Sequence, residues 1–471
     1  MEITKQIMEN KGNYLFQGKL TNTVHDVTED QLNKLRKEYL KEVRENRKVT
    51  NSSYAGENYY GQYDFPVALN REYLYRDQKT DGMLIQYPHG VVLQQAKFRN
   101  YYRGENQIFK KSQPTLLRKL EAYTDKEDKE LYRMVANMRI AEFGILLRKF
   151  EHVQKWSFSD ILYESLAQHY GLETGWLDIT TDFDVAMFFA TCWWDKKEKR
   201  WKPLTKAQTE LSEETKYGMI FHMPSWYMSQ RWCLEIEKFA DISKGLPNNL
   251  VYPIGFQPFM RCSMQNGYGI YMQESKPLQE DIGFEKLRFR HSEELSKRVF
   301  ERMKGGELIY PHEGLNGAEF LIDQITTLTD FSEESFFYAL QRSHMFRMKD
   351  KELCRQKLEA FYVNGKKIAI KPNSVWHISR DRRRMIDNNY SGFDVEKIYG
   401  IHLRERKICG PKGETVGANM YEPYMLSDSD SVENPGILDF KPRKMVGEMN
   451  MWMLSQMQLL QMLFTQNARD F

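Results

Sequence analysis

The sequence predicts a mixed α/β protein, with a central α/β domain over about 97–325 and helical additions at both ends. Three observations carry this. Phe98–Gly104 and Tyr217–Met223 read as strands. A helical stretch at 119–170 and an apolar run at Val185–Ala190 stand between them. Helical spacing returns outside the centre, over about 29–47 and 445–464. The chain divides into a helical lead-in, 1–96, a central domain, 97–325, and a C-terminal mixed region, 326–471.

The lead-in helix is marked at its start by Thr28 and Gln31, a capping-box pair. Leu32, Leu35, Tyr39 and Val43 then recur at helical spacing, with Lys and Glu on a solvated face. Asn51–Tyr63 is polar and tyrosine-rich and reads as loop. Residues 98–118, FRNYYRGENQIFKKSQPTLLR, lead through aromatic residues into Arg103-Gly104. A guanidinium fixed at a strand end matches phosphate or carboxylate through two parallel hydrogen bonds. The alternative is an arginine held in a structural ion pair, with Asp178 as one partner. Over 119–170, Asp125–Glu130 is a charged joint and Met138–Phe150 an amphipathic helix.

Residues 196–216 read as a charged loop, Tyr217–Met223 as a buried strand, and LRFRHSEELSKRVFERM as a strand followed by a helix. Beyond 326, Ser332–Met348 reads as helix. Phe361–Ile370 reads as a hairpin whose Asn364-Gly365 turn favours type I′ geometry. Arg380, Arg382, Arg383 and Arg384 make a basic cluster, read as the solvated face of a helix, with phosphate binding as the alternative. SDSDSVENPG, 427–436, is a linker. Met445–Phe464 sets Met449, Trp452, Met453, Leu460, Leu463 and Phe464 along one side of a helix. A methionine-rich face adapts to partners, so this helix docks on its own domain or in a partner groove.

Composition narrows the class. The 471 residues are enough for about two or three domains. They are 41% hydrophobic and 28% charged with a net charge of +3, so a sizeable core is affordable and no global field favours nucleic acid or an anionic membrane. Five scattered cysteines without zinc-type spacing point to a reducing compartment, and so to the cytoplasm. MEITKQIMENKGNYLF lacks the apolar region of a secretory signal, and no run of about 18 apolar residues could span a membrane. His152 and His169 have no third ligand at metal spacing, and neither HExxH nor CxxC occurs, so no metal is expected.

The densest group of polar residues lies in LAQHYGLETGWLDITTDFDVAMFFA, Leu166–Ala190. Gln168, His169 and Tyr170 precede a break at Gly171. Asp178, Thr180, Thr181, Asp182 and Asp184 crowd the end of the loop. Thr181 or Asp182 can cap the apolar helix that follows, since a short side-chain oxygen satisfies the free N–H groups of a first turn. From these residues alone, the stretch is a capped core helix after an ordinary loop.

The stretch resembles the second signature block of the FRG domain, a bacterial family named for an aromatic-Arg-Gly motif. Leu166 to Gly171, Thr174, Leu177, Asp178, Thr180, Ala186, Phe189 and Ala190 match its pattern. Glu173, Gly175, Trp176 and Ile179 stand where the family has Pro, Arg, Leu and Trp. Tyr102, Arg103 and Gly104 resemble the naming motif, followed by Pro114 to Arg118. Arg261, Gln265 and Gly267 resemble a third block, and Tyr310, Pro311, Leu315 and Gly317 a closing one. The likeness covers about 97–325.

The order of these blocks is similar to that of ADP-ribosyltransferases, with Asp178-Ile179-Thr180 at the Ser-Thr-Ser position. That likeness implies two packed sheets with NAD in the cleft between them. It implies Arg103, beside Gly104, on the pyrophosphate, and Tyr170 and Thr180 as further cofactor contacts. His169, Asp178 and Gln265 become the catalytic candidates, with Asp178 stabilising an oxocarbenium-like sugar. Removing Arg103 is then expected to abolish dinucleotide binding at little cost to stability. Gln265 stands where the transferases carry glutamate, while Glu235-Ile236-Glu237 has the right letters in a loop-like setting. Two functions remain: ADP-ribosyl transfer to a protein or nucleic-acid target, or NAD glycohydrolysis, on one side, and a non-catalytic nucleotide- or protein-binding module on the other.

Overall fold

The computed structural model describes residues 14–16, 22–51, 73–76, 81–87, 90–95, 100–390 and 403–405, with breaks at 155, 157–160, 226, 229–230, 232–248, 273–275, 312–314, 316–317 and 374–377. The expected loop at 52–63, the Glu235-x-Glu237 pair, the 427–436 linker and the 445–464 helix lie outside the described residues. So does the side chain of Arg382.

Seven strands share the main sheet: β1 (Val24–Asp26), β2 (Asn100–Glu105), β3 (Trp176–Thr180), β4 (Tyr217–Pro224), β5 (Val251–Pro253), β6 (Gly267–Tyr271) and β7 (Glu285–Arg290). Their spatial order is β1-β7-β4-β2-β3-β6-β5. The β1–β7 pair is parallel and the others are antiparallel. This is the mixed α/β architecture the sequence predicts. The two packed sheets implied for the centre are instead one sheet in two halves. β2 pairs with β4 from Asn100 to Glu105, and β3 pairs with β6 from Trp176 to Thr180. β2 and β3 meet at the single pair Tyr102↔Thr180, which makes a seam between the halves.

Strand alternation sends neighbouring side chains to opposite faces and so creates two cores. Tyr101, Leu177, Ile179, Met219 and Phe221 enter one, and Tyr102, Ile220, Leu287 and Phe289 the other. The principal helices are α1 (Glu29–Asn51), α2 (Lys126–Leu147), α3 (Tyr163–His169), α4 (Phe183–Thr191), α5 (Glu293–Arg302), α6 (Glu319–Thr326) and α7 (Glu333–Gln341). α2, α3, α6 and α7 cover the first face, and α1, α4 and α5 the second.

The capping box that opens α1 is formed: Thr28 N donates to Gln31 Oε1 at 2.9 Å, and Gln31 N to Thr28 Oγ1 at 3.3 Å. Leu32, Leu35 and Tyr39 are buried as their spacing predicts, worth about 1.5–3 kcal/mol each for side chains of this size. The charged joint at Asp125 is a helix start, with Asp125 accepting from Glu127 N and Asp128 N. Met138–Phe150 is not amphipathic. Most of it lies in α2, whose residues from Met134 to Leu147 are all buried, packed among α3, α6 and α7. A helix covered on all sides reads as apolar all round. Its buried carboxylates are paired: Glu142 accepts from Ser332 N and Ser335 Oγ, and Glu130 from Ser343 Oγ and His344 N. These bonds seat α7, beyond the expected 325–326 boundary, on the same core.

The first part of the expected charged loop at 196–216 is a hairpin arm, since Arg200–Pro203 pairs with Cys192–Asp195. The expected Ser332–Met348 helix stops at Gln341. Asn364 and Gly365 both adopt positive φ, 52° and 76°, the condition for a type I′ turn. No described helix is long and apolar enough to cross a membrane.

Candidate functional site

A cavity of about 560 Å³ opens at the seam. Arg103, Gly104, His169, Asp178, Thr180 and Gln265 all line it, although the sequence spreads them from 103 to 265. Tyr170 does not. Its ring lies behind the wall, 4.2 Å from the Arg261 guanidinium, which Tyr310 covers on another side at 4.6 Å. Arg261 in turn donates to the His169 carbonyl at 2.9 Å, at the C-terminal end of α3. A cation there satisfies a free carbonyl and suits the negative end of the helix dipole. Tyr170 therefore braces the helix that carries His169.

Arg103 stitches the seam. Past Tyr102↔Thr180 the backbone ladder stops, and Arg103 Nη1 donates to the Asp178 carbonyl at 2.6 Å instead. Its Nε donates to Glu105 Oε1 at 2.9 Å. Residues two apart on a strand share a face, so this pair follows from the register. Glu105 is buried and also accepts from Ser112 Oγ at 2.6 Å. The structural ion pair is thus present, with Glu105 as partner rather than the Asp178 carboxylate. Gly104 lines the cavity and also has a packing reason. A Cβ there would lie 1.7 Å from the Ala186 carbonyl oxygen, so the missing side chain lets α4 cross β2.

On the other half, Asp182 caps α4 by accepting from Asp184 N at 2.8 Å and Val185 N at 3.2 Å. Thr180 Oγ1 donates to the Gln265 carbonyl at 2.6 Å and accepts from Asp182 N, which ties β3 to the turn before β6. Gln265 Nε2 donates to the Ile309 carbonyl at 3.1 Å. That orients the amide so that Oε1 faces His169 Nδ1, also at 3.1 Å. An amide oxygen only accepts, so Nδ1 carries the ring proton and Nε2 keeps a lone pair. Gly267 leaves the imidazole room: a Cβ there would come within 3.2 Å of His169 Cε1.

His169 Nε2 lies 3.8 Å from Asp178 Oδ1, beyond hydrogen-bond range, and both atoms are buried without a hydrogen-bond partner among the described residues. Burial holds the His169 pKa below its ordinary value, against the opposing pull of Asp178. Asp178 Oδ2 accepts from Gln168 Nε2 at 3.3 Å, which steadies the carboxylate. A neutral imidazole and a carboxylate thus face each other across a gap with two acceptors and no donor. The imidazole, with its Nε2 lone pair unused, can take a proton.

Much of the remaining wall is aromatic, with Phe109, Phe189, Trp193, Trp194, Trp201 and Tyr310. None of the tryptophans was singled out from the sequence. The signal for them was Trp193-Trp194, a charged turn, then Trp201, which is a hairpin pattern. Glu105 was legible by its two-residue offset from Arg103.

The family model of the FRG domain matches residues 99–199, and the chain carries an FRG domain there. That span holds both halves of the seam, from β2 through α4. The third and closing blocks, which supply Gln265 and Tyr310, lie beyond it. No curated protein and no solved structure matches the chain.

Proposed function

Proceeding from an FRG domain with an unpartnered imidazole–carboxylate pair in its cleft, we propose that this protein binds NAD or a related adenine dinucleotide and cleaves its nicotinamide–ribose bond. The facing pair, His169 Nε2 and Asp178 Oδ1, carries the reading. A ribose offers the hydroxyl donors that this gap lacks. When the bond from ribose C1′ to nicotinamide breaks, the electron pair leaves with nicotinamide and the sugar becomes oxocarbenium-like. Asp178 supplies the negative charge that such a cation needs. Water adds to C1′ and its proton passes to His169 Nε2, giving ADP-ribose, nicotinamide and a proton. With a protein or nucleic-acid nucleophile in place of water, the same steps transfer ADP-ribose. Gln265 is a positioning residue here, since it holds the imidazole in one tautomer.

The test is incubation of purified protein with NAD, with free nicotinamide quantified against His169→Gln and Asp178→Asn. Release by wild type and its loss in both variants supports the reading. Absence of dinucleotide binding by calorimetry under reducing conditions would sink it. The module without turnover is favoured by one observation: the amide at the glutamate position is engaged at both ends, by His169 and Ile309. Tight NAD binding with no nicotinamide release would select that second reading.

A further inference from the structure

The hairpin that follows α4 places aromatic surface where a folded chain gains little from it. Trp194 and Trp201 are cross-strand partners, with ring centroids 5.6 Å apart. Tyr310 joins them, stacked on Trp194 at 6.2 Å and 24° and tilted against Trp201 at 5.3 Å. Gly306 permits this packing, because a Cβ there would lie 3.1 Å from Trp201 Cδ1. Trp194 is nevertheless 40% exposed, at the cavity wall. The hairpin's charges are engaged with one another: Lys202 Nζ donates to Asp195 and Glu198. The wall is continuous with the polar end through Tyr310, which lines the same cavity as His169 and Asp178.

A second observation concerns hydrogen bonding. The indole N–H groups of Trp193 and Trp201 are buried and have no acceptor among the described residues, although both rings line the cavity. Indole nitrogen is a donor only, and a buried donor calls for an acceptor. Flat π surface next to unused donors matches a planar nitrogen heterocycle, which offers a face to stack and ring nitrogens that accept. A simple apolar chain would leave the donors unpaired, and so would a cation, which offers them no acceptor.

We propose that the tryptophan hairpin is a base subsite of this cleft, taking a purine ring that stacks on Trp194 and Tyr310 and accepts an indole N–H. The assignment rests on the reading of the cleft as a nucleotide site and names which part of the ligand gives selectivity. It does not depend on cleavage. A pyrimidine stacks over less area, so the subsite discriminates by base as well as by sugar.

The full chain is titrated with adenosine, ADP-ribose, ribose 5-phosphate and nicotinamide mononucleotide, followed by calorimetry and by tryptophan fluorescence. Wild type should bind adenosine saturably with quenching. Trp194→Ala, at an exposed position, should weaken adenosine and ADP-ribose at least tenfold and leave ribose 5-phosphate unchanged. Trp201→Phe keeps the ring and removes the donor, and should weaken adenosine more than it weakens 1,3-dideazaadenosine. Matching thermal melts establish that both variants fold. Equal affinity of wild type and Trp194→Ala for adenosine overturns the subsite. Binding of nicotinamide mononucleotide without adenosine overturns it too and leaves the proposed function standing. Binding of adenosine without NAD turnover supports the subsite and removes the glycohydrolase reading.

Discussion

Nε2 of His169 faces Oδ1 of Asp178 at 3.8 Å, and Nδ1 of the same ring is tied to Gln265. The two ring nitrogens therefore have separate duties. One fixes orientation and tautomer, and the other is left free to accept a proton.

A pH prediction follows. Burial lowers the His169 pKa from its ordinary 6.5, with Asp178 working in the opposite direction. The neutral base is full above that range, so nicotinamide release should persist into mildly acidic solution and fall only as pH drops through the lowered pKa. Stability should follow the same sign. The unfolded chain takes up the proton first, so stability is full above about 6.5 and declines as pH falls towards the folded pKa. Asp178→Asn removes the group that raises the pKa, and the titration of His169, followed by its ring proton in NMR, should move to lower pH. A titration that moves to higher pH in this variant would contradict the assignment.

Gln265 gives a second test of the same pair. Gln265→Ala leaves the His169 Nδ1–H and the Ile309 carbonyl without partners, at a cost of about 1–3 kcal/mol for each buried group. Chemical denaturation should register that loss. Gln265→Glu puts a carboxylate beside the ring and should raise the His169 pKa, so that the acid limb of the rate profile moves to higher pH. An unmoved limb would show that His169 is not the titrating base.

How much of this could be read in the sequence depends on the range of each interaction. The α1 capping box, the Asp182 cap and the Asn364-Gly365 turn were legible because each is decided within four residues. The site residues were legible as a set only through the order of the family blocks. Their geometry was not, because it depends on a seam where two strands from distant parts of the chain touch at one residue pair. That Arg103 also closes the seam was not legible, because nothing in the linear order shows where a ladder ends. The tryptophan wall was hidden by its charged turn, Lys196–Arg200, which made the whole segment read as loop. The all-round burial of α2 was hidden because one of its covers, α7, comes from a region with no family signature.

Gly104 tests the close crossing of α4 over β2. Alanine would put a methyl 1.7 Å from the Ala186 carbonyl oxygen and 3.0 Å from Ala190 N, both backbone atoms that cannot rotate away. The helix would have to move off the sheet and take the Asp182 cap with it. Losses above about 4 kcal/mol are exceptional and come from a few causes, overpacking of the core among them, and Gly104→Ala should reach that level. Expression and a thermal melt decide it. A variant of wild-type stability would mean that α4 crosses elsewhere.

Arg103 and Glu105 test whether the arginine is ligand, brace or both. The Glu105 side chain is 4% exposed and that of Arg103 is 21% exposed, so the pair is largely removed from water. Removing one partner of a buried pair costs about 3–5 kcal/mol, and solvent at Arg103 should bring this to about 2–3 kcal/mol. Arg103→Ala should therefore destabilise the protein, in contrast to the small cost expected from the sequence. It also frees the Asp178 carbonyl at the point where β2 and β3 part, so the Asp178 carboxylate should lose its register with His169. Arg103→Lys keeps the charge but has no planar fork to reach Glu105 and the Asp178 carbonyl together. It should recover part of the stability and little of the nicotinamide release. Arg103→Met with Glu105→Gln removes both charges and should be more stable than Arg103→Ala, because no buried carboxylate is left alone. Dinucleotide affinity of that double variant then separates the roles. If stability returns while binding stays lost, Arg103 touches the ligand. If both return, its task is to hold the two halves of the sheet.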